Sequence, residues 1–532
     1  MPGNLNAGKA ALLITGAMWA WILTHTPTFD FDESLYRSVA SAMKLSGNPW
    51  ILEWDGKPLY HKPPVLYWLM VAVSRIIDGA GTLISVSAAR LPSLLSSIGI
   101  LWWLHRSGGM NAALAFLCGF FPVLTGLAVI FDPLQSLMLL PALILPARWF
   151  EEDRSPNWKE GLIVAVSMAL GSATKGLNGL LIPTGALGLH LLFHTKRWGI
   201  RKGLDGGLKM LGRVILPGMA LTALAYLFYD RMLGREFTRE FLWVQHFDRS
   251  RNPMEAHGGS PVYHFAILFF GGGFLTPLLG YQWLRKKPDL LRLGYPLTFA
   301  LTCVLLFTLS ATKLPHYTWP AWAALALFTA KLVSLPENDS SRNLPDRRIG
   351  FLLSAPVFLI GTLALLLSIA PGLFLQSLPD SPQGRTWIGS VFPLDWPQRI
   401  ALLITALSCF SFQTLRRTMT RSPGKTALAA ILAYSGVAYA LVPIADRLMV
   451  KPFYDVTQTI RSKNPPRDTC IQYSGPLSAT LSLALAPEFA QNRCENRPAR
   501  FRITPVWRET ECVREGYRLI ERNPTLLLCE SP

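Results

Sequence analysis

The sequence is short of charge. Only 16% of its 532 residues are Asp, Glu, Lys or Arg, against roughly a quarter in an ordinary soluble domain. That excludes a solvated globular surface over most of the chain. Strict alternation of apolar and polar residues is also lacking: the apolar runs are continuous, which disfavours a membrane β-barrel. The basic residues do not cluster as one groove or tail, so the net charge of +18 does not read as a nucleic-acid surface. Only Lys9 precedes the first apolar segment and no small-residue cleavage site follows it, so that segment is expected to stay as an anchor. There is no clear internal repeat.

What the sequence has is apolar length. About thirteen runs, most of them roughly 17–25 residues, are long enough to cross a hydrocarbon core as helices. They fall at about 10–25, 87–105, 110–131, 133–150, 159–174, 176–194, 211–230, 261–283, 293–311, 315–334, 349–371, 399–415 and 427–445. If the N-terminus is cytoplasmic, the basic residues collect in the cytoplasmic loops, from Arg106 and Arg148 through Lys196–Arg213 and Arg285–Arg292 to Arg416–Lys425. The short opposite loops hold little beyond Lys175, Lys313 and Arg385, as the positive-inside rule expects. The expectation is a polytopic α-helical membrane protein, with residues 1–445 forming the transmembrane domain.

Two opposite-side loops are long, 26–86 and 231–260. The first carries helical periodicity from Glu33 to Leu45 and from Pro63 to Ile77, two stretches expected to lie along the interface. Residues 446–532 have no spanning run and mix β-like stretches (Cys470–Tyr473, Arg500–Thr504, Thr525–Cys529) with helical ones, so a small external α/β domain is expected. It holds Cys470, Cys494, Cys512 and Cys529, while Cys118, Cys303 and Cys409 lie in spans. An even set confined to the external domain points to two disulfides in an oxidising compartment, with connectivity open.

Polar residues converge on one face. Asp32 and Glu33 follow the first span, Lys62 stands between His61 and two prolines, and Asp132, Lys175, Lys313 and His316 sit at external span ends. Each has a structural alternative: Asp32 and Asp132 as helix caps, Asp132 with Pro133 in the first turn; Lys175 and Lys313 as snorkelling side chains; His61 and His257 as plain loop histidines. Together, a carboxylate pair and a fixed cation at one bilayer surface suit a base facing a phosphate.

In their order, Asp32-Glu33, Lys62-Pro63, Asp132-Pro133, Thr174-Lys175-Gly176 and Thr312-Lys313-Leu314-Pro315-His316-Tyr317 resemble the GT-C membrane glycosyltransferases, in the family joining lipid A aminoarabinose transferases and protein O-mannosyltransferases. The resemblance implies a GT-C fold and a periplasmic reaction on a polyprenyl-phosphate sugar. It also implies a place in the bacterial inner membrane, Asp32 as catalytic carboxylate with Asp132 as a second acidic residue, and Lys62 and Tyr317 at the donor phosphate. Beside these, Glu33 is read as the other half of the carboxylate pair, and Arg249, Arg251 and Lys313 as further fixed cations for the departing phosphate. Tyr36, Tyr60, Lys175 and His316 are assigned to the substrate cavity, and the Ala256–Pro261 segment to the family's histidine-bearing loop. The chain departs at His61, where the family has a metal-binding glutamate, and at Leu35, where it has an arginine (Arg37 lies nearby). These departures leave the metal requirement open: either no cofactor, or a divalent metal (zinc or magnesium/manganese), for which His61 and His257 are the candidate ligands.

The expected activity is inverting transfer of the sugar to lipid A or a related glycolipid. The alternatives are protein O-glycosylation and, from another class, a lipid flippase, for which Gly271-Gly272-Gly273 inside a span is a possible broken helix.

Overall fold

The computed structural model describes all residues except 1, 30, 82, 254–256, 287, 337–346, 371–393, 467–468, 475–477, 486–498, 506–515, 524 and 532. Cys494, Cys512, Lys287 and Arg385 therefore lie outside the described residues.

Helix Val86–Leu117 is the central post. It packs on Pro2–His25, on Trp319–Ser334 and on Pro423–Met449. The interior is built from large aromatics, with Trp149, Trp319, Trp322, Tyr295 and Tyr434 fully buried. Leucines such as Leu13, Leu192, Leu224 and Leu227 stand exposed on the outside. An apolar exterior around a packed core is the arrangement a bilayer solvates and water does not. The chain is a polytopic helical membrane protein.

The spans are less regular than the sequence implies. Among the described residues, three helical stretches are long and apolar enough to cross unaided: Leu5–His25, Ile200–Leu233 and Pro423–Ser462. The expected span 110–131 is not one helix. The post kinks at Gly109 and ends at Leu117, a short helix Phe120–Thr125 follows, and irregular chain leads to Asp132. The expected span 261–283 is two helices, Tyr263–Gly271 and Leu275–Lys286, bent by 91°. Gly273 turns this corner at φ 51°, where a Cβ would strike the Tyr434 hydroxyl. That hydroxyl donates to the Cys118 carbonyl (2.6 Å) and accepts from Phe274 N–H (3.2 Å), so the freed backbone is satisfied from a neighbouring helix.

Both helices foreseen in the first loop form, as Asp32–Ser46 and Val65–Ile77. Between them lies an antiparallel hairpin, β1 (Glu53–Trp54) and β2 (Lys57–Pro58). Its turn, Asp55-Gly56, has positive φ at both residues, the two-residue loop whose twist matches that of paired strands.

After Val450 the chain enters a small domain. Its sheet runs β3 (Ile471–Tyr473), β4 (Phe501–Pro505), β6 (Leu526–Glu530), β5 (Arg518–Arg522), with β3 parallel to β4 and the other pairs antiparallel. Val456 and Ile460 of helix Lys451–Ser462 share its core with Phe501, Ile503 and Leu528. Three of the four strands coincide with the stretches read from sequence; β5 is the addition. Cys470 and Cys529 each take part in a disulfide, while Cys118, Cys303 and Cys409 are free and buried. Helix Ala479–Leu485 rests on helix Asp32–Ser46, joined by Ser34 Oγ and Thr480 Oγ1 at 3.0 Å. The domain therefore braces the helix on which Asp32 stands.

Candidate active site

Asp32 opens its helix half-buried, and among the described residues its carboxylate carries no hydrogen bond. It faces a cavity of about 160 Å³ lined by Phe31, Asp32, Tyr36, His61, Lys62, Arg249, His257, His316 and Tyr317, closed by Leu35 and Leu314. Chain segments more than 280 positions apart thus supply one wall each: the start of helix Asp32–Ser46, the turn before helix Val65–Ile77, Arg249 with His257, and the 3₁₀ turn Pro315–Thr318.

Backbone pairing holds the last two walls together. Ala311 N donates to Ser250 O (2.8 Å), Lys313 N to His257 O (2.8 Å) and Thr312 Oγ1 to Arg249 O (3.1 Å). Arg249 is buried, and its Nη1 donates to Gln245 Oε1 at 2.8 Å. Tyr36 packs edge-on against Phe131 (5.0 Å) and Tyr67 (6.2 Å); burial pushes its phenol well up, so it remains a donor. Burial, then the Arg249 and Lys175 cations, lower Lys62 to about 7, against the pull of Asp32 and Asp132. A cation so destabilised gains most from an arriving anion.

Asp132 and Lys175 form a buried ion pair beside this cavity. Lys175 Nζ also stands 4.9 Å from the centroid of the Tyr317 ring, a cation–π contact that ties the pair to the cavity wall. They back the site rather than line it. Lys175 is not a snorkelling lysine, and Asp132 is committed to its partner.

Besides that pair, four further expected site residues stand outside the cavity lining. Glu33 does not reach the cavity: Arg90 grips it through Nε (3.2 Å) and Nη2 (3.0 Å), and Phe29 and Val129 N–H groups donate to it. Lys313 turns its Nζ onto the carbonyls of Phe307, Thr308 and Ser310 (3.3, 2.5 and 2.5 Å), closing the end of helix Tyr295–Leu309 instead of meeting a phosphate. Arg251 is exposed, two residues on and about half a turn round from the buried Arg249. Tyr60 packs against Phe237 (5.8 Å) outside the lining. Arg37 does not replace the arginine missing at Leu35, because it donates to Ile84 O and Thr28 Oγ1.

His61 and His257 do share the cavity, and His61 Nε2 stands 3.9 Å from Glu240 Oε1. Among the described residues no group of three His, Cys, Asp or Glu gathers there. A zinc site takes three or more protein ligands, so the described donors do not make up a zinc site here.

Arg90 and His246 were not anticipated. Arg90 lies inside an expected span, and a charge in an apolar run is itself a signal. His246 had no such mark.

No model of a known protein family matches the chain. In sequence it is 27% identical over 359 residues to the undecaprenyl phosphate-α-4-amino-4-deoxy-L-arabinose arabinosyl transferase of Edwardsiella ictaluri, covering 64% of this chain and 61% of that protein. It is 23% identical over 384 residues to the same-named protein of Yersinia pestis strain Pestoides F, covering 69% and 66%. The matched part thus spans a little under two thirds of these relatives. In structure it resembles ArnT from Cupriavidus metallidurans bound to undecaprenyl phosphate (TM-score 0.74, 16% identity, 98% of this chain and 97% of that one). A weaker likeness is to the archaeal oligosaccharyltransferase AglB from Archaeoglobus fulgidus (TM-score 0.50, 12% identity, 96% and 70%).

Proposed function

We propose that this chain, a GT-C-fold relative of the aminoarabinose transferases, is an inverting glycosyltransferase that moves a sugar from a polyprenyl phosphate to lipid A or a related envelope glycolipid. One observation carries the reading: an unbonded carboxylate, Asp32, lines the same cavity as two cations, Lys62 and Arg249. The acceptor oxygen attacks the anomeric carbon, the bond from that carbon to the phosphate oxygen breaks, and its electron pair leaves with the phosphate. Lys62 and Arg249 hold that leaving group in a fixed field. Asp32 takes the proton of an attacking hydroxyl, worth about 10²–10⁴-fold, or orients an acceptor that is already an ionised phosphate. A single displacement inverts the carbon.

The cavity of about 160 Å³ is smaller than a pocket for a whole drug-sized ligand. It suits the sugar–phosphate head, with the isoprenoid tail left in the bilayer. The basic residues gathered in the loops across the membrane from this face, and the disulfides that Cys470 and Cys529 each take part in, support placing this face in the periplasm.

The test is mass spectrometry of lipid A and of envelope proteins from cells that supply the lipid-linked donor and express this chain or its Asp32→Asn variant. A sugar-sized gain on lipid A, lost in the variant, is expected. A gain on proteins instead moves the acceptor; wild-type-like transfer by the variant overturns the role of Asp32. No gain on either returns the flippase.

A further inference from the structure

Arg249 reaches the cavity at the end of an unusually wide helix. Residues Arg239–Asp248 form a π-helix that passes directly into the turn Arg249–Arg251; such widened turns cluster at functional sites. His246 leaves this helix on the side facing another corner, where helix Trp158–Lys175 meets helix Asn178–Trp198. Its Nδ1 lies 2.6 Å from the Phe241 carbonyl, an acceptor only, so Nδ1 bears the hydrogen. Nε2 is then bare and accepts the Leu177 N–H at 3.1 Å. Gly176 has φ 141°, and a Cβ there would collide with His246 Nε2, so the close approach is written into both partners.

The imidazole stays neutral. Burial, then the nearby Lys62 and Arg249 cations, hold it down to about 4 against the Phe241 carbonyl. The residue before Gly176 is Lys175, which pairs with Asp132 and faces Tyr317. The residue before His246 is Gln245, which accepts from Arg249. The contact joins the two cation-bearing segments behind the cavity.

We propose that His246 is a positioning residue for donor binding: by fastening the π-helix to the Gly176–Leu177 corner it sets where Arg249 meets the carrier phosphate. This rests on the donor reading above. A phosphate contact made in both ground and transition states changes KM more than kcat, and a misplacement of about 1 Å can cost up to ~10²-fold.

The experiment measures binding of undecaprenyl phosphate to the purified full-length chain, with thermal unfolding in parallel and donor KM and kcat where turnover is available. His246→Gln keeps an acceptor at the Nε2 distance, whereas His246→Asn is polar but stops short of Leu177, and His246→Ala removes both. Asn and Ala are expected to weaken binding roughly tenfold or more, raising donor KM with kcat nearly unchanged, and Gln is expected to restore it. Wild-type affinity in folded Asn or Ala variants, or an equal loss in Gln, overturns the inference. If the wild-type chain does not bind undecaprenyl phosphate, the donor reading itself falls.

Discussion

Asp32 and Glu33 are consecutive carboxylates in the first turn of one helix, and their surroundings are opposite. Glu33 is buried with four donors on its two oxygens. Its partner Arg90 spends its remaining N–H groups on Ile22 O, Thr26 O, the Thr26 hydroxyl and Pro27 O. Every group in that cluster is answered from within the fold, which locks the end of helix Pro2–His25 to the start of helix Asp32–Ser46. Glu33 and Arg90 do line a cavity of about 340 Å³ of their own, but with their hydrogen-bonding groups filled, whereas Asp32 shares its smaller cavity with Lys62 and Arg249 and, among the described residues, carries no hydrogen bond. A charge satisfied internally fixes structure, and one left facing a cavity is available for chemistry.

The sharpest way to break this comparison is to neutralise each carboxylate in turn. Asp32→Asn should lower transfer by about 10²–10⁴-fold and leave the unfolding temperature where it is. Glu33→Ala or Arg90→Ala strands a buried charge and should cost about 3–5 kcal/mol of stability, seen as loss of folded protein in detergent, while the molecules that fold keep turning over. Equal effects on folding from the two carboxylates would erase the distinction.

The Asp132–Lys175 pair lies between these extremes, since it is closed like Glu33–Arg90 yet touches the cavity through Tyr317. Lys175→Met alone should destabilise by about 3–5 kcal/mol, and adding Asp132→Leu should recover much of that. Transfer should not recover in the double variant, because the field around Lys62 has changed. A double-mutant cycle on stability, with activity followed alongside, separates the two roles.

A smaller effect follows from Lys62. Its ammonium, lowered to about 7 chiefly by burial and then by Arg249 and Lys175, is charged below that pH and increasingly neutral above it. Donor binding favours the charged form, so the donor KM should rise as pH climbs through about 7 and be flat well below. Lys62→Arg keeps its charge over this range, and its KM should lose that slope. A slope unchanged in Lys62→Arg would assign the titration elsewhere.

How much of this was legible depended on sequence distance. Asp32, Tyr36, His61 and Lys62 sit in two short polar motifs amid apolar sequence, and the cavity contains all four. Strands β3, β4 and β6 were visible in their β-rich stretches. Partners were not. Glu33 looked as catalytic as Asp32 because Arg90, which claims it, is 57 residues away and was absorbed into an apolar run. Lys313 looked like a phosphate ligand because a lysine capping carbonyls has the same local signature. The Asp55-Gly56 hairpin was missed, although that dipeptide is a turn signal. The break of the expected span 110–131 was missed too, since hydropathy averages over a corner whose backbone is satisfied by distant Tyr434 and Glu33.

Arg249 and Arg251 repeat the lesson of Asp32 and Glu33 at the opposite charge. They are two residues apart and both were expected at the donor phosphate, yet one is buried in the cavity wall and the other stands in solvent. Arg249→Ala should therefore raise the donor KM strongly, whereas Arg251→Ala should stay within about twofold of wild type, as exposed substitutions do. Any residual effect of Arg251 would be long-range attraction of an anionic headgroup. Such attraction is screened within about 8 Å at physiological ionic strength, so raising the salt should abolish it. An Arg251 effect that survives high salt would mean that this arginine folds into the site when the carrier binds.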